Sequence, residues 1–292
     1  MNQLRNFIFE EINEYFIEET YKSVNEIKQL ASDIIRSIAE NNIDRIKEKG
    51  HMNFLFGTYL NAIDHNKYDE IASFIKNANI AITIDQPHRK GAKGAYVHTP
   101  DVPYDPKQEH EIEIYIDDLD NIFERINEKL EERGEKYNDH DLYMDLFYPL
   151  YSSLIHELQH AYDDYRSGGK AYQTKEFQKY RQKYLKNAIT DQVQNDMEQA
   201  LRYVNLPHEI WARFSQAMHK IHFTDMDIEG SKIIFKMRPI RDVVKDFKNN
   251  FDHYRELKDS MKKKLVKKVA QFWHYEQDHL DEKIEKANKR RK

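Results

Sequence analysis

The sequence has no cysteine among its 292 residues. Disulfide scaffolds, thiol nucleophiles and thiolate-ligated metals are thereby excluded, and any metal site must be built from histidine and carboxylate. Glycine and proline are scarce, at 8 and 7 residues, so long uninterrupted helices are expected. No apolar run approaches the ~20 residues needed to cross a bilayer, so no membrane partner is expected. The opening segment Met1 to Glu11 breaks its apolar residues with acids too early for a secretory signal, and a cytoplasmic protein is the expectation.

What is present is charge and aromatic bulk. Charged residues make up 33%, while 19 Tyr and 15 Phe supply apolar area that a disordered chain would lack. The net charge of −5 conceals an asymmetry. Residues 255–292 carry 13 Lys or Arg against 7 Asp or Glu, which leaves −11 for residues 1–254. The basic elements are Lys262-Lys263-Lys264, Lys267-Lys268 and the closing Lys289-Arg290-Arg291-Lys292. They read as a solvated helix face and tail, with an anionic partner as the alternative, and nucleic acid is not the expected one. Oligomeric state has no signature in the sequence.

Apolar spacing predicts helices over 4–20, 24–46 and 59–75. The period then changes. Ile80 to Ile84 reads as a strand, Ala95 to Val97 as a short one, and Glu111 to Ile116, alternating acid with Ile or Tyr, as an exposed or edge strand. Helix is expected again over 119–130, and from Leu142 through Leu158, with Pro149 marking a kink or a fresh start. Ser167-Gly168-Gly169 breaks the chain. A helix is expected over 174–204, a stop and restart at Asn205-Leu206-Pro207, then an apolar stripe of Ile210, Phe214 and Met218. A turn and a short strand at 232–235 precede a charged helical remainder. The predicted class is α+β, mainly helical, with a helical region at 1–77, a core at 78–222 and a basic helical region at 223–292.

One stretch dictates a chemistry. His-Glu occurs at 110–111, 156–157 and 208–209, but only the middle pair is followed by a second histidine, giving His156-Glu157-Leu158-Gln159-His160. On a helix, His156 and His160 share a face one turn apart and can hold a single Zn2+. Glu157 is placed to take a proton from water activated there. Leu154, Ile155, Leu158 and Ala161 form the side that packs inward.

Strands leading into a helix of this kind resemble the zincin metallopeptidases, and the segment Ser153 to Tyr162 looks like their active-site helix. The resemblance covers roughly residues 78–222. It implies one zinc per chain, a peptide or protein substrate, and a third protein ligand. The metzincin subclass requires a histidine where this chain has Arg166. The gluzincin subclass takes a glutamate from a later helix, and Pro207-His208-Glu209-Ile210-Trp211-Ala212 resembles the segment that supplies it, implying Glu209. Asp163, Asp164 and His208 compete for that place, although an Asp one turn past His160 more naturally accepts the second N–H of a ligand histidine. Glu157 would then act as general base, handing its proton to the leaving amine. Tyr162, Arg213, His219 and His222 are candidate oxyanion donors, among which the sequence does not choose. The amphipathic opening also resembles those of tailed-phage proteins, which implies a phage origin and a virion association.

Two rival readings stand beside this one. A di-iron carboxylate protein would use two E-x-x-H motifs, Glu157/His160 and Glu276/His279, on facing helices. A helical interaction or structural protein would carry His156 and His160 as surface residues.

Overall fold

The computed structural model describes residues 2–49, 56–85, 94–97, 105–115, 119–173, 175–180, 203–229 and 232–289. It is mainly helical with one small sheet and a separate hairpin. The first helix, α1 (Asn2–Lys49), joins the two expected N-terminal helices into one, with no Gly or Pro between them to stop it. Its buried stripe Ile27, Leu30, Ala31, Ile34, Ile35 and Ile38 follows helical spacing and packs on α4.

The four-stranded sheet comprises β1 (Phe56–Tyr59), β2 (Ile80–Asp85), β3 (Gly94–Val97) and β4 (His110–Tyr115), in the order β1-β2-β4-β3. β2 and β4 run parallel, pairing Ile82 with Ile112 and Ile84 with Ile114, whereas β1 and β3 are antiparallel to their neighbours. Two expectations are corrected here. β4 is an interior strand, because alternation of acid and Ile reports which face is wet and carries no information about which edge is paired. Glu111 on its wetter face accepts a bond from Thr83. The stretch 59–75 is not one helix. It holds the end of β1, two short 3-10 turns (Leu60–Ala62 and His65–Lys67) and α2 (Ala72–Asn77). Leu60, Ile63, Tyr68 and Ile71 are buried at near-helical spacing, but Asp64 turns its side chain onto the Asn66 backbone and diverts the chain.

After α3 (Leu119–Arg133), the 29-residue α4 (Asp139–Ser167) is the axis of the molecule. Asn138 caps it and forms a reciprocal capping box with Asp141. The helix runs unbroken past Pro149 and ends at Gly168, whose φ of 60° is the left-handed conformation that terminates helices. Leu142, Leu146, Leu150, Leu154, Ile155 and Leu158 bury one side of α4 in a core shared with α1 and the sheet. The short α5 (Lys175–Tyr180) follows, and the rest of the helix expected over 174–204 lies outside the described residues, apart from Tyr203 and Val204.

The remaining elements are α6 (Pro207–Met218), the hairpin β5 (Thr224–Glu229) and β6 (Lys232–Met237), α7 (Ile240–Asn250), α8 (Asp259–Asp278) and α9 (Leu280–Lys289). Proline at the first position of α6 costs no hydrogen bond, because that N–H would have no helical partner. Ile210, Phe214, Ala217 and Met218 enter a second core with Phe247 of α7 and Leu265, Val269 and Phe272 of α8. A different face of α6 meets α4. Among the described residues, no helix is long and apolar enough to cross a membrane.

Candidate functional site

The α4–α6 contact is where the polar side chains converge. Ser215 donates to the Gln159 side chain at 2.5 Å and Gln216 to Ser152 at 3.1 Å, fixing one helix against the other. That register sets Glu209, in the first turn of α6, against His156 and His160, one turn apart on α4. The imidazole Nε2 atoms of the two histidines are 3.1 Å apart. Glu209 Oε1 lies 3.3 Å from His160 Nε2, and Oε2 lies 3.6 Å from His156 Nε2. A tetrahedral ion with bonds of ~2.0–2.1 Å separates its ligand atoms by about 3.3 Å. The three side chains therefore have the donor types and the mutual spacing for one metal ion, and among the described residues they are the one group that does.

The environment agrees with that geometry. Glu209 is 1% exposed, and its Oε2 has no hydrogen-bond partner, nor does the buried Nδ1 of His156. Burial pushes the Glu209 carboxyl up, but His160 and His156 together override it and hold the group well below the usual carboxylate range. An anion in the first turn of α6 is also favoured by the helix dipole.

Glu157 stands beside this group, buried, with its carboxyl raised to about 7. Burial is the main cause. His160 opposes it, Glu209 adds to it, and the Tyr96 backbone N–H donates to the carboxylate. Strand β3 reaches Glu157 only because position 94 is glycine. A Cβ there would lie 2.9 Å from both Cγ and Oε1 of Glu157.

The competing ligands fall elsewhere. Asp163 accepts from Gln159 Nε2 at 2.8 Å and is raised to about 6 by burial. Asp164, fully buried, accepts from the Tyr96 hydroxyl at 3.2 Å. His208 packs its ring against His160 and Phe177, with Nε2 4.0 Å from Glu209 Oε1. None of the three belongs to the converging group.

The candidate oxyanion donors separate cleanly. Arg213 lines a cavity of about 360 Å³ with His156, Glu157 and Glu209, its Nε 3.7 Å from Glu209 Oε2. Tyr162 instead lies in the α1–α4–sheet core, edge-on to Phe74. His219 ends α6 against Tyr151, with its ring held by the Gln216 carbonyl. His222 is exposed, and its backbone carbonyl accepts from Arg238. These three are corrections to the sequence reading. Histidine and tyrosine near a motif in sequence need not face it, because α4 buries the turn after His160 in the core and His219, just past α6, turns its ring onto the Gln216 carbonyl and Tyr151.

Among the lining residues to which sequence reasoning gave no part in the site are Tyr203, Gly94, Asp252 and His253. Tyr203 donates its hydroxyl to Glu209, and burial raises its phenol well above the ordinary value. Gly94 supplies the close approach of β3. Asp252 and His253 reach the cavity from the α7–α8 connection, where His253 is the one described non-glycine residue with positive φ, at 63°. None of them sits in a recognisable motif, so no sequence signal was available for them.

The second E-x-x-H does not join the first. Glu276 is buried and pairs with Lys283, and His279 closes α8 with Nδ1 on the Tyr275 carbonyl, its ring stacked on Tyr275. Comparison with known proteins adds no relative, since no family model, no curated protein and no solved structure matches the chain.

Proposed function

We propose that the chain is a zinc-dependent peptidase of the zincin type, gluzincin-like in taking its third ligand from a glutamate. The observation that carries this reading is the convergence of His156, His160 and Glu209 at ligand spacing with Glu157 beside them. These three residues would hold a Zn2+ ion, which would supply a water of lowered pKa and polarisation of a carbonyl.

Glu157 accepts the proton of the attacking water and returns it to the departing amine. It lines the cavity without belonging to the ligand group, which suits a base better than a ligand. Arg213 has N–H groups for charge that develops on the carbonyl oxygen, and Tyr203 would add one by turning its single hydroxyl proton from Glu209 to that oxygen. Both also touch Glu209, so they fix the ligand carboxylate before any substrate arrives. Gly94 of β3 lines the cavity on one side and Asp252 and His253 on another, which would orient an incoming chain.

The test is elemental analysis of purified protein alongside hydrolysis of an unfolded protein such as casein. The expected result is one zinc per chain and cleavage that a chelator abolishes and zinc restores. Glu209→Ala should lose both, whereas Tyr203→Phe should keep the zinc and slow cleavage. Two irons per chain, or no metal after zinc reconstitution, would overturn the reading.

A further inference from the structure

A second concavity, of about 300 Å³, opens on a different face of α6 from the one that bears Glu209. Its floor and walls come from Ile210 and Trp211 of α6 and from Met261, Leu265 and Lys268 of α8. Trp211 is 40% exposed, and its ring rests edge-on against Phe214. Three lysines, Lys264, Lys267 and Lys268, rim the α8 side. Among the described residues none of the three forms an ion pair, whereas Lys262 on the same helix pairs with Asp259.

The shape limits the occupant. The lining residues of α8 run from Met261 to Gln271, about 15 Å of helix at 1.5 Å per residue. Both walls are helices whose backbone groups are already bonded internally. An extended peptide laid between them would leave its own N–H and C=O groups without partners. A small anion would satisfy the lysines and leave the apolar floor wet, and a flat lipid surface would not enter the concavity. A helix satisfies its own backbone, fills such a groove with side chains at i, i+3 and i+4, and sets acids three or four residues apart against the three lysines.

We propose that the α6–α8 groove receives an amphipathic helix of a partner protein, apolar towards Trp211, Met261 and Leu265 and acidic towards Lys264, Lys267 and Lys268. This assignment is independent of the peptidase reading, since it rests on another face of α6 and on α8.

The test is selection of binders to the full-length protein from a displayed library of helical peptides of about 15 residues, long enough to hold helix. Enriched peptides should carry acids and apolar residues at one-face helical spacing. Their binding should change the Trp211 emission, a change absent in Trp211→Phe. Charge reversal of the three exposed or half-exposed lysines (K264E/K267E/K268E), with an unchanged circular dichroism spectrum, should weaken them about tenfold or more. Absence of Trp211-dependent binders, or enrichment of neutral or basic peptides indifferent to charge reversal, would overturn the proposal. Two further results would do so as well. Self-association lost on charge reversal would assign the groove to a second copy of the chain, and sedimentation with phosphatidylglycerol vesicles lost in the same way would assign it to a lipid surface.

Discussion

Two of the chain's three E-x-x-H patterns lie wholly within the described residues, at Glu157–His160 on α4 and at Glu276–His279 at the end of α8, and the two have opposite fates. Around the first, a helix from elsewhere in the sequence delivers a carboxylate between two imidazoles. Around the second, Glu276 meets the ammonium of Lys283, and His279 is spent on closing its own helix. Both glutamates are buried. What separates them is the charge of the group brought opposite. The Glu276 carboxylate, paired with a lysine, is a satisfied ion pair, while Glu209, delivered beside Glu157, shares its pocket with two imidazoles at the spacing of metal ligands.

Breaking the first region should have the largest effect. His156→Ala leaves one imidazole and one carboxylate, too few to retain a catalytic ion, and zinc content measured by elemental analysis should fall to background together with any hydrolysis. Retention of stoichiometric zinc would show that the ligands lie elsewhere. Glu157→Gln comes next. The amide preserves shape and packing beside Gly94, so zinc should stay while the hydrolytic rate falls roughly 10²–10⁴-fold. Wild-type activity in this variant would remove Glu157 from the role of base.

The second region should respond in stability alone. Burial, with Lys283 nearby, pushes the Lys28 ammonium down to about 8. The sign follows from the depressed value. Below pH 8 the folded chain holds a charge it disfavours, and stability rises as pH passes from 8 towards the ordinary lysine range, where only the unfolded chain keeps its proton. Lys28→Met should therefore raise the stability at pH 7 by about 1–3 kcal/mol. In urea unfolding series at several pH values, that gain should fade as pH approaches 10, and a gain independent of pH would point to packing instead. Glu276→Gln should have the smallest effect. It should leave zinc content unchanged and cost about 1 kcal/mol, since Lys283 is half-exposed and can be rehydrated. Loss of metal in this variant would restore the second motif to the site.

The contrast also marks how far the sequence could be read. His156, His160 and Glu157 were legible because helical spacing alone puts them on one turn. Glu209 was legible only through resemblance, and the distance in sequence gave no hint that Ser215 and Gln159 would lock the two helices in register. Strands β2 and β6 announced themselves through β-branched or apolar runs, β4 through its alternation of acid and Ile, and β3 as a short apolar stretch, whereas β5 (Thr224–Glu229) falls where a turn was expected. β1 did not announce itself, because Phe56 to Tyr59 precedes a stretch whose buried residues mimic helical spacing. The interior position of β4 was not legible either, since its partner β3 is only four residues long. Tyr203 and His253 reach the cavity from segments that no local pattern distinguishes, and only the tertiary fold brings them there.

Helix α6 has a consequence for how the molecule comes apart. It belongs to both cores at once, with Ile210 and Phe214 in one and its Gln159–Ser215 contact on the axis of the other. Neither core can melt without uncovering a side of the same twelve-residue segment, so the two should lose their structure together in one cooperative transition. An ion that binds only when α4 and α6 are docked would then act on the whole chain, lifting its melting temperature as its free concentration rises.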